Sequence, residues 1–299
     1  MTQEEIVKKR QELVHHMFSS TGDEFVRLVL ENCRGGGSAL TEEMRQRMNG
    51  EEFDYKGFPW YKFHVGEPKG KTRKILYFHG GGWVMNSGVA QFAFAEYLAR
   101  ETGAEIWFPE YPIVPEHNGE EALEMGMALY RQMLKECPGD AIAMGGDSAG
   151  GGLAVSVAMQ IREEGLGQPN NLFLISPGCN VGGSPRNAEE KAYEDMLLER
   201  DAIVSTKGFP TVLDLWKGST DKDDWRVNPM KGQLKGLPPM LVFAGGHEAM
   251  EMGIRQFVEE AIRQDADVVY YVRNGVAHAY VMFYEWAKEE RKLIIDRLL

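Results

Sequence analysis

Apolar residues fall at helical spacing in the first fifty positions of the chain. Thr2 and Glu5 stand as a capping pair ahead of Ile6, Val7, Leu13 and Val14, and Thr21 and Glu24 repeat it ahead of Phe25, Leu28 and Val29. A third helical stretch, 41–49, ends at Gly50. From Trp60 onward the pattern changes. Apolar runs at 74–78, 106–108, 141–144, 172–175, 240–244 and 268–272 read as buried strands. Segments of helical period separate most of them: 89–102, 120–137, 149–163, 249–264 and 283–299. Strand alternating with helix predicts a mainly parallel sheet with helices on both faces. The stretch from 175 to 240 is about twice as long as a crossover needs. It holds helical stretches at 188–200 and 209–217 and a polar run at 219–224. We read it as an insertion over the sheet edge, a lid. With no Gly/Ser linker and no internal repeat, one domain with a cap is expected.

Composition narrows this picture. The 299 residues are 43% hydrophobic, enough for a large core. A formal net charge of −12 argues against nucleic-acid and anionic-membrane partners, which need basic patches. Three cysteines, Cys33, Cys137 and Cys179, do not make a disulfide framework and suit a reducing compartment. Residues 1–10 are polar and lack the apolar segment of a signal peptide, and no apolar run reaches the length of a membrane span. The expected location is the cytoplasm. No Cys/His cluster has zinc-ligand spacing, and neither metal nor organic cofactor is expected.

The chemistry sits at the ends of the predicted strands, where parallel sheets place their sites. Strand 74–78 runs into His79-Gly80-Gly81-Gly82, and strand 141–144 into Gly146-Asp147-Ser148-Ala149-Gly150. Strand 240–244 is followed by Glu248, and strand 268–272 by His278. Ser148, on a turn too tight for a side chain at either flanking glycine, is the candidate nucleophile. His278 is the candidate base. Glu248 is the candidate acid, with Glu251, one helical turn on, as the alternative. Gly80, Gly81 and Ala149 are the expected oxyanion donors through their N–H groups. His79 is expected to hold the glycine loop by hydrogen bonds rather than to move protons. Trp83, Met85 and Phe92 either line a pocket for modest apolar groups or simply pack the core. Cys179 follows a strand end and is read as packing.

On these motifs the chain resembles the hormone-sensitive-lipase-like carboxylesterases of the α/β-hydrolase fold. Tyr111, Pro115-Glu116-His117, Ile175-Ser176-Pro177, Asn228-Pro229 and Gly236-Leu237-Pro238-Pro239 add to the likeness, which runs from about residue 73 to the C-terminus. It implies a cap made from residues 1–55 and an insertion at about 184–226, on a catalytic domain of residues 56–299. It also implies a serine carboxylester hydrolase acting on short to medium acyl esters through an acyl-enzyme. A sugar O-acetyl, lactone, amide or thioester bond, or a non-catalytic receptor on the same fold, stays open as an alternative. A homodimer contact through the last strand and last helix is a further expectation from the resemblance. The chain departs from the family pattern at Glu248-Ala249-Met250, where Asp-Pro-Leu is usual, and at Asn180, Glu110 and Ala279.

Overall fold

The alternation within each strand divides the protein into two cores, one on each face of a sheet. In β3 (Lys74–Phe78), Ile75 and Tyr77 face one core while Leu76 and Phe78 face the other. The computed structural model describes residues 3–34, 39–181, 183–283 and 286–299. Among these, eight strands form one sheet in the order β1-β2-β4-β3-β5-β6-β7-β8. Besides β3 they are β1 (Glu51–Tyr55), β2 (Phe58–Phe63), β4 (Glu105–Pro109), β5 (Ile142–Asp147), β6 (Asn171–Ile175), β7 (Met240–Gly245) and β8 (Val268–Arg273). β1, β2 and β4 pair antiparallel, and β4 through β8 run parallel. β3, β5, β6 and β7 are buried along their whole length, as strands covered on both faces must be.

The first two strands are a finding beyond the six expected. Lys56 (φ 54°) and Gly57 (φ 92°) make a two-residue turn in the left-handed region, which suits the twist of a hairpin. Phe53 stacks on its cross-strand partner Trp60 at 4.5 Å. The sheet therefore begins at Glu51, ahead of the boundary expected at residue 56.

One core lies beneath α4 (Val89–Thr102), the short α10 (Tyr280–Phe283) and α11 (Lys288–Leu298). The other lies beneath α5 (Gly119–Met133), α6 (Ala149–Glu163) and α9 (Glu251–Arg263). The expected last helix, 283–299, is split: α11 starts only after Ala287.

Above the carboxyl ends of the strands lie α1 (Gln3–Phe18) and α2 (Gly22–Asn32), with α7 (Ala188–Arg200) and α8 (Phe209–Trp216) from the β6–β7 insertion. Phe18 of α1 packs edge-on against Phe209 of α8 at 6.1 Å, and the Gly22 N–H donates to Thr211 Oγ1 at 2.9 Å. Thr21 begins α2, but its side chain does not cap it, and the Glu24 carboxylate pairs with Arg27. The capping pair expected at Thr2 and Glu5 lies outside the described residues. In α3 (Glu42–Arg47) the Thr41 hydroxyl does cap, accepting the Met44 N–H at 3.2 Å.

Candidate active site

β5 enters α6 through a turn with no room for side chains at its glycines. A Cβ on Gly146 would strike the Phe78 carbonyl and the Gly150 backbone; one on Gly150 would strike the carbonyls of Phe78 and His79. Ser148 is thereby held at φ 52°, ψ −123°, a backbone conformation that costs of order 1–3 kcal/mol in a non-glycine residue. Its N–H donates to Ile175 O and its own carbonyl accepts from Gly178, so β6 and the loop after it fix the turn. The hydroxyl stands partly open at the start of α6, where the helix dipole favours negative charge.

His278, buried in the loop after β8, meets Glu248 from the loop after β7, with Nδ1 2.6 Å from Oε2. The other Glu248 oxygen accepts the Gly245 N–H at 3.0 Å. Behind the histidine, Ala279 (φ 54°) donates its N–H to Ser176 Oγ at 3.0 Å. Burial opposes a charge on the imidazole, but the Glu248 carboxylate outweighs it, with Asp201 and Asp147 adding to the effect. The pKa of His278 therefore lies above the ordinary histidine value. Glu251 is turned elsewhere, accepting from the Tyr270 hydroxyl at 3.0 Å and standing 3.8 Å from Arg255.

The glycine loop after β3 rests on a buried ion pair. His79 Nδ1 lies 2.7 Å from Gly80 O, its Nε2 lies 3.3 Å from Glu110 Oε2, and its ring stacks on Tyr111 at 4.4 Å. The Tyr111 hydroxyl donates to His79 O at 2.6 Å, and the Ser87 hydroxyl and N–H both donate to Glu110. Gly80 stands against the Asp147 carboxylate, with no room for a Cβ between them. That carboxylate receives Tyr77 Oη–H at 2.8 Å and Gln91 Nε2–H at 3.2 Å. Among the described residues, the N–H groups of Gly80, Gly81, Gly82 and Ala149 make no hydrogen bond to an acceptor. Gly81 (φ 124°) and Gly82 (φ 61°) adopt backbone conformations that favour glycine.

These loops wall a cavity of about 490 Å³ lined by Ser148, His278, Gly80, Gly81, Gly82 and Ala149. Trp83 and Met85 line it as well, Trp83 donating from Nε1 to Ala149 O at 3.0 Å and stacking on Trp216 of α8 at 4.7 Å. Phe92 does not. It is fully buried against Phe63 and Phe108, because the N-terminal end of α4, residues 88–91, is what meets the cavity. Much of the remaining wall comes from the segments expected to form the cap: Val14 and Phe18 of α1 and Ile203, Val204, Phe209 and Val212 of the insertion, with Met250 after β7. None of these residues was singled out from the sequence. Cys179 is fully buried and its thiol pKa is pushed up by burial. Among the described residues no three side chains converge as metal ligands, and no helix is long and apolar enough to cross a membrane.

A serine on a strained strand-to-helix turn, an imidazole paired with a carboxylate and an N–H-lined loop, all at the carboxyl edge of one parallel sheet, define the hydrolase class of this architecture. Residues 75–282 match the family described as alpha/beta hydrolase fold. The chain belongs to the α/β-hydrolase fold family, among its hormone-sensitive-lipase-like members. It is 28% identical to an esterase of Acinetobacter venetianus over 75% of this chain and 73% of that protein. An acetyl-hydrolase of Streptomyces hygroscopicus is 27% identical over 74% and 73%. Among solved structures, a hormone-sensitive lipase from a metagenome library is 25% identical, with a TM-score of 0.73, covering 93% of this chain and 99% of that one.

Proposed function

We propose that the protein is a serine carboxylester hydrolase whose triad is Ser148, His278 and Glu248. The observation that carries this is the shared cavity: Ser148 on its strained turn and His278, held by Glu248, stand on one wall system. Ser148 attacks the ester carbonyl while His278 accepts its proton through Nε2, since Nδ1 is committed to Glu248. The N–H groups of Gly80, Gly81 and Ala149 stabilise the oxyanion. His278 then protonates the leaving alcohol, and water repeats the sequence on the acyl-enzyme. Esterase and acetyl-hydrolase relatives support ester cleavage. Asp147 and His278 are the titratable side chains on an otherwise largely apolar wall, which favours neutral esters of short to medium acyl chains.

The decisive experiment is hydrolysis of p-nitrophenyl butyrate together with fluorophosphonate labelling. Ser148→Ala keeps the fold, loses labelling and lowers kcat by orders of magnitude. Unchanged hydrolysis by that variant would remove Ser148 from the mechanism.

The cap is proposed to comprise the N-terminal helices and the insertion at about 184–226, a reading supported by their shared lining of the cavity. A reducing, cytoplasmic setting is proposed from the three free cysteines. A homodimer through the outer strand is supported by exposed Val269 and Val272 on edge strand β8. Val269→Lys is then expected to lower the mass measured by light scattering from dimer to monomer; a monomeric parent protein would end this proposal.

A further inference from the structure

Asp201, at the carboxyl end of α7, is 3% exposed, yet among the described residues it has no cationic partner. Its carboxylate is instead held by three backbone N–H groups. Oδ1 accepts from Ile203 at 2.8 Å and from Val204 at 2.9 Å; Oδ2 accepts from Ala249 at 2.7 Å. The first two donors belong to residues that line the cavity from the insertion. The third belongs to the residue directly after Glu248. One side chain thus joins the substrate-facing wall of the cap to the loop that carries the proposed acid. The join continues through the His247 N–H, which donates to Val276 O in the loop that carries His278.

We infer that Asp201 is a positioning residue: it sets Glu248 against His278 and ties that setting to the placement of the Ile203–Val204 wall. A buried carboxylate on three amides is a rigid link, since each bond is charge-assisted and directional. A wall displaced by a bulky acyl group pulls on Ala249, and through it on the acid. Acyl fit and imidazole orientation are therefore coupled, and the coupling favours esters that leave residues 203–204 in place. The charges facing His278 are Glu248 from the β7 loop, Asp201 from the insertion and Asp147 from the β5 end. Arg200, next to Asp201, places its guanidinium 3.5 Å from His247 Nε2. Since Asp201 is among the groups favouring the charged imidazole, its removal also lowers the pKa of His278.

This inference rests on the triad reading, and the test separates the two. The rate of fluorophosphonate labelling is measured against pH for the parent, Asp201→Asn and Asp201→Glu, with circular dichroism to check folding. No labelling of the parent at Ser148 defeats the triad reading itself. With labelling present, Asp201→Asn is expected to shift the inflection to lower pH and to lower kcat on butyrate esters on the order of tenfold or more. Asp201→Glu keeps the charge, so it keeps the inflection, but its extra methylene displaces the loop and lowers kcat. An unchanged inflection in a folded Asp201→Asn protein overturns the inference, even if thermal stability falls. Should the Asn variant not fold, the Glu variant decides: lowered kcat with the parent inflection supports the link, and parental kcat overturns it.

Discussion

Ser148 shows how a single residue's backbone can be set by atoms it does not own. Its positive φ is imposed by the packing of Gly146 and Gly150 against the Phe78 and His79 carbonyls, leaving the hydroxyl at the cavity. Protonation of His278 is the other residue-scale control. In the proposed mechanism His278 must be neutral to accept the serine proton, and its pKa lies above the ordinary value of about 6.5. Activity is therefore expected to rise with pH through an inflection on the alkaline side of 6.5. A kcat/KM profile that is flat from about pH 5 to 9 would exclude His278 as base. Glu248→Gln should lower kcat on the order of 10⁴-fold, because an amide can hold the wrong tautomer. The place of Ser148, His278 and Glu248 after strand ends was legible in the sequence, because each follows an apolar run. The bonds that hold the glycine loop, from Tyr111 to His79 O and from Ser87 to Glu110, were not, since they join segments distant in the chain.

At the scale of elements, the helices over the sheet edge decide the shape of the cavity. Phe18 closes it from α1, packing on Phe25 at 5.7 Å and Phe209 at 6.1 Å, directly over Gly82. Arg34, just past α2, fastens this segment to the glycine loop by donating to Val84 O at 2.7 Å and to Val114 O, and it pairs with Glu116. Phe18→Ala should destabilise the protein by about 3–5 kcal/mol and shift preference toward longer acyl chains. A kcat/KM series over acyl lengths checks this; an unaltered preference would show that Phe18 packs the cap without shaping specificity. The strands of the parallel sheet and most helices could be read from periodicity, since burial on both faces leaves long apolar runs. The β1–β2 hairpin escaped that reading because it lies at the sheet edge, where aromatic residues alternate with charged ones over only a few positions. Phe92 was misplaced for a related reason: helical spacing names a buried face, but not whether that face meets a core or a void.

Taken as a whole, the molecule brings together groups from residues 11 to 283 around one cavity, because every parallel strand ends at the same edge. A buried ion pair, His79 with Glu110, lies at the base of that edge. Burial opposes both charges, and their mutual attraction wins, so the Glu110 pKa is depressed and that of His79 raised. Glu110 contributes stability above its unfolded pKa and loses it as pH falls through its folded value. His79 contributes below its unfolded pKa and loses it as pH rises through its folded value. The pair's contribution is therefore complete between about pH 4.3 and 6.5 and declines on either side. Thermal denaturation of the parent and Glu110→Gln across pH 4 to 9 checks this. The variant is expected to be about 3–5 kcal/mol less stable inside that window and to converge on the parent at its alkaline end; parallel curves would argue against the pair. The helices over the sheet edge were legible as helices, whereas the side chains they turn toward the cavity were not, because sequence gives spacing along a chain and not the volume between elements.

The stack of Trp83 on Trp216 has a practical consequence. One indole belongs to the loop that would receive the oxyanion and the other to the last helix of the insertion, and at 4.7 Å their electronic transitions couple. Lifting of α8 to admit a ligand would uncouple them, so the near-ultraviolet dichroism of the unlabelled protein serves as an optical gauge of opening, with Trp216→Phe as its blank.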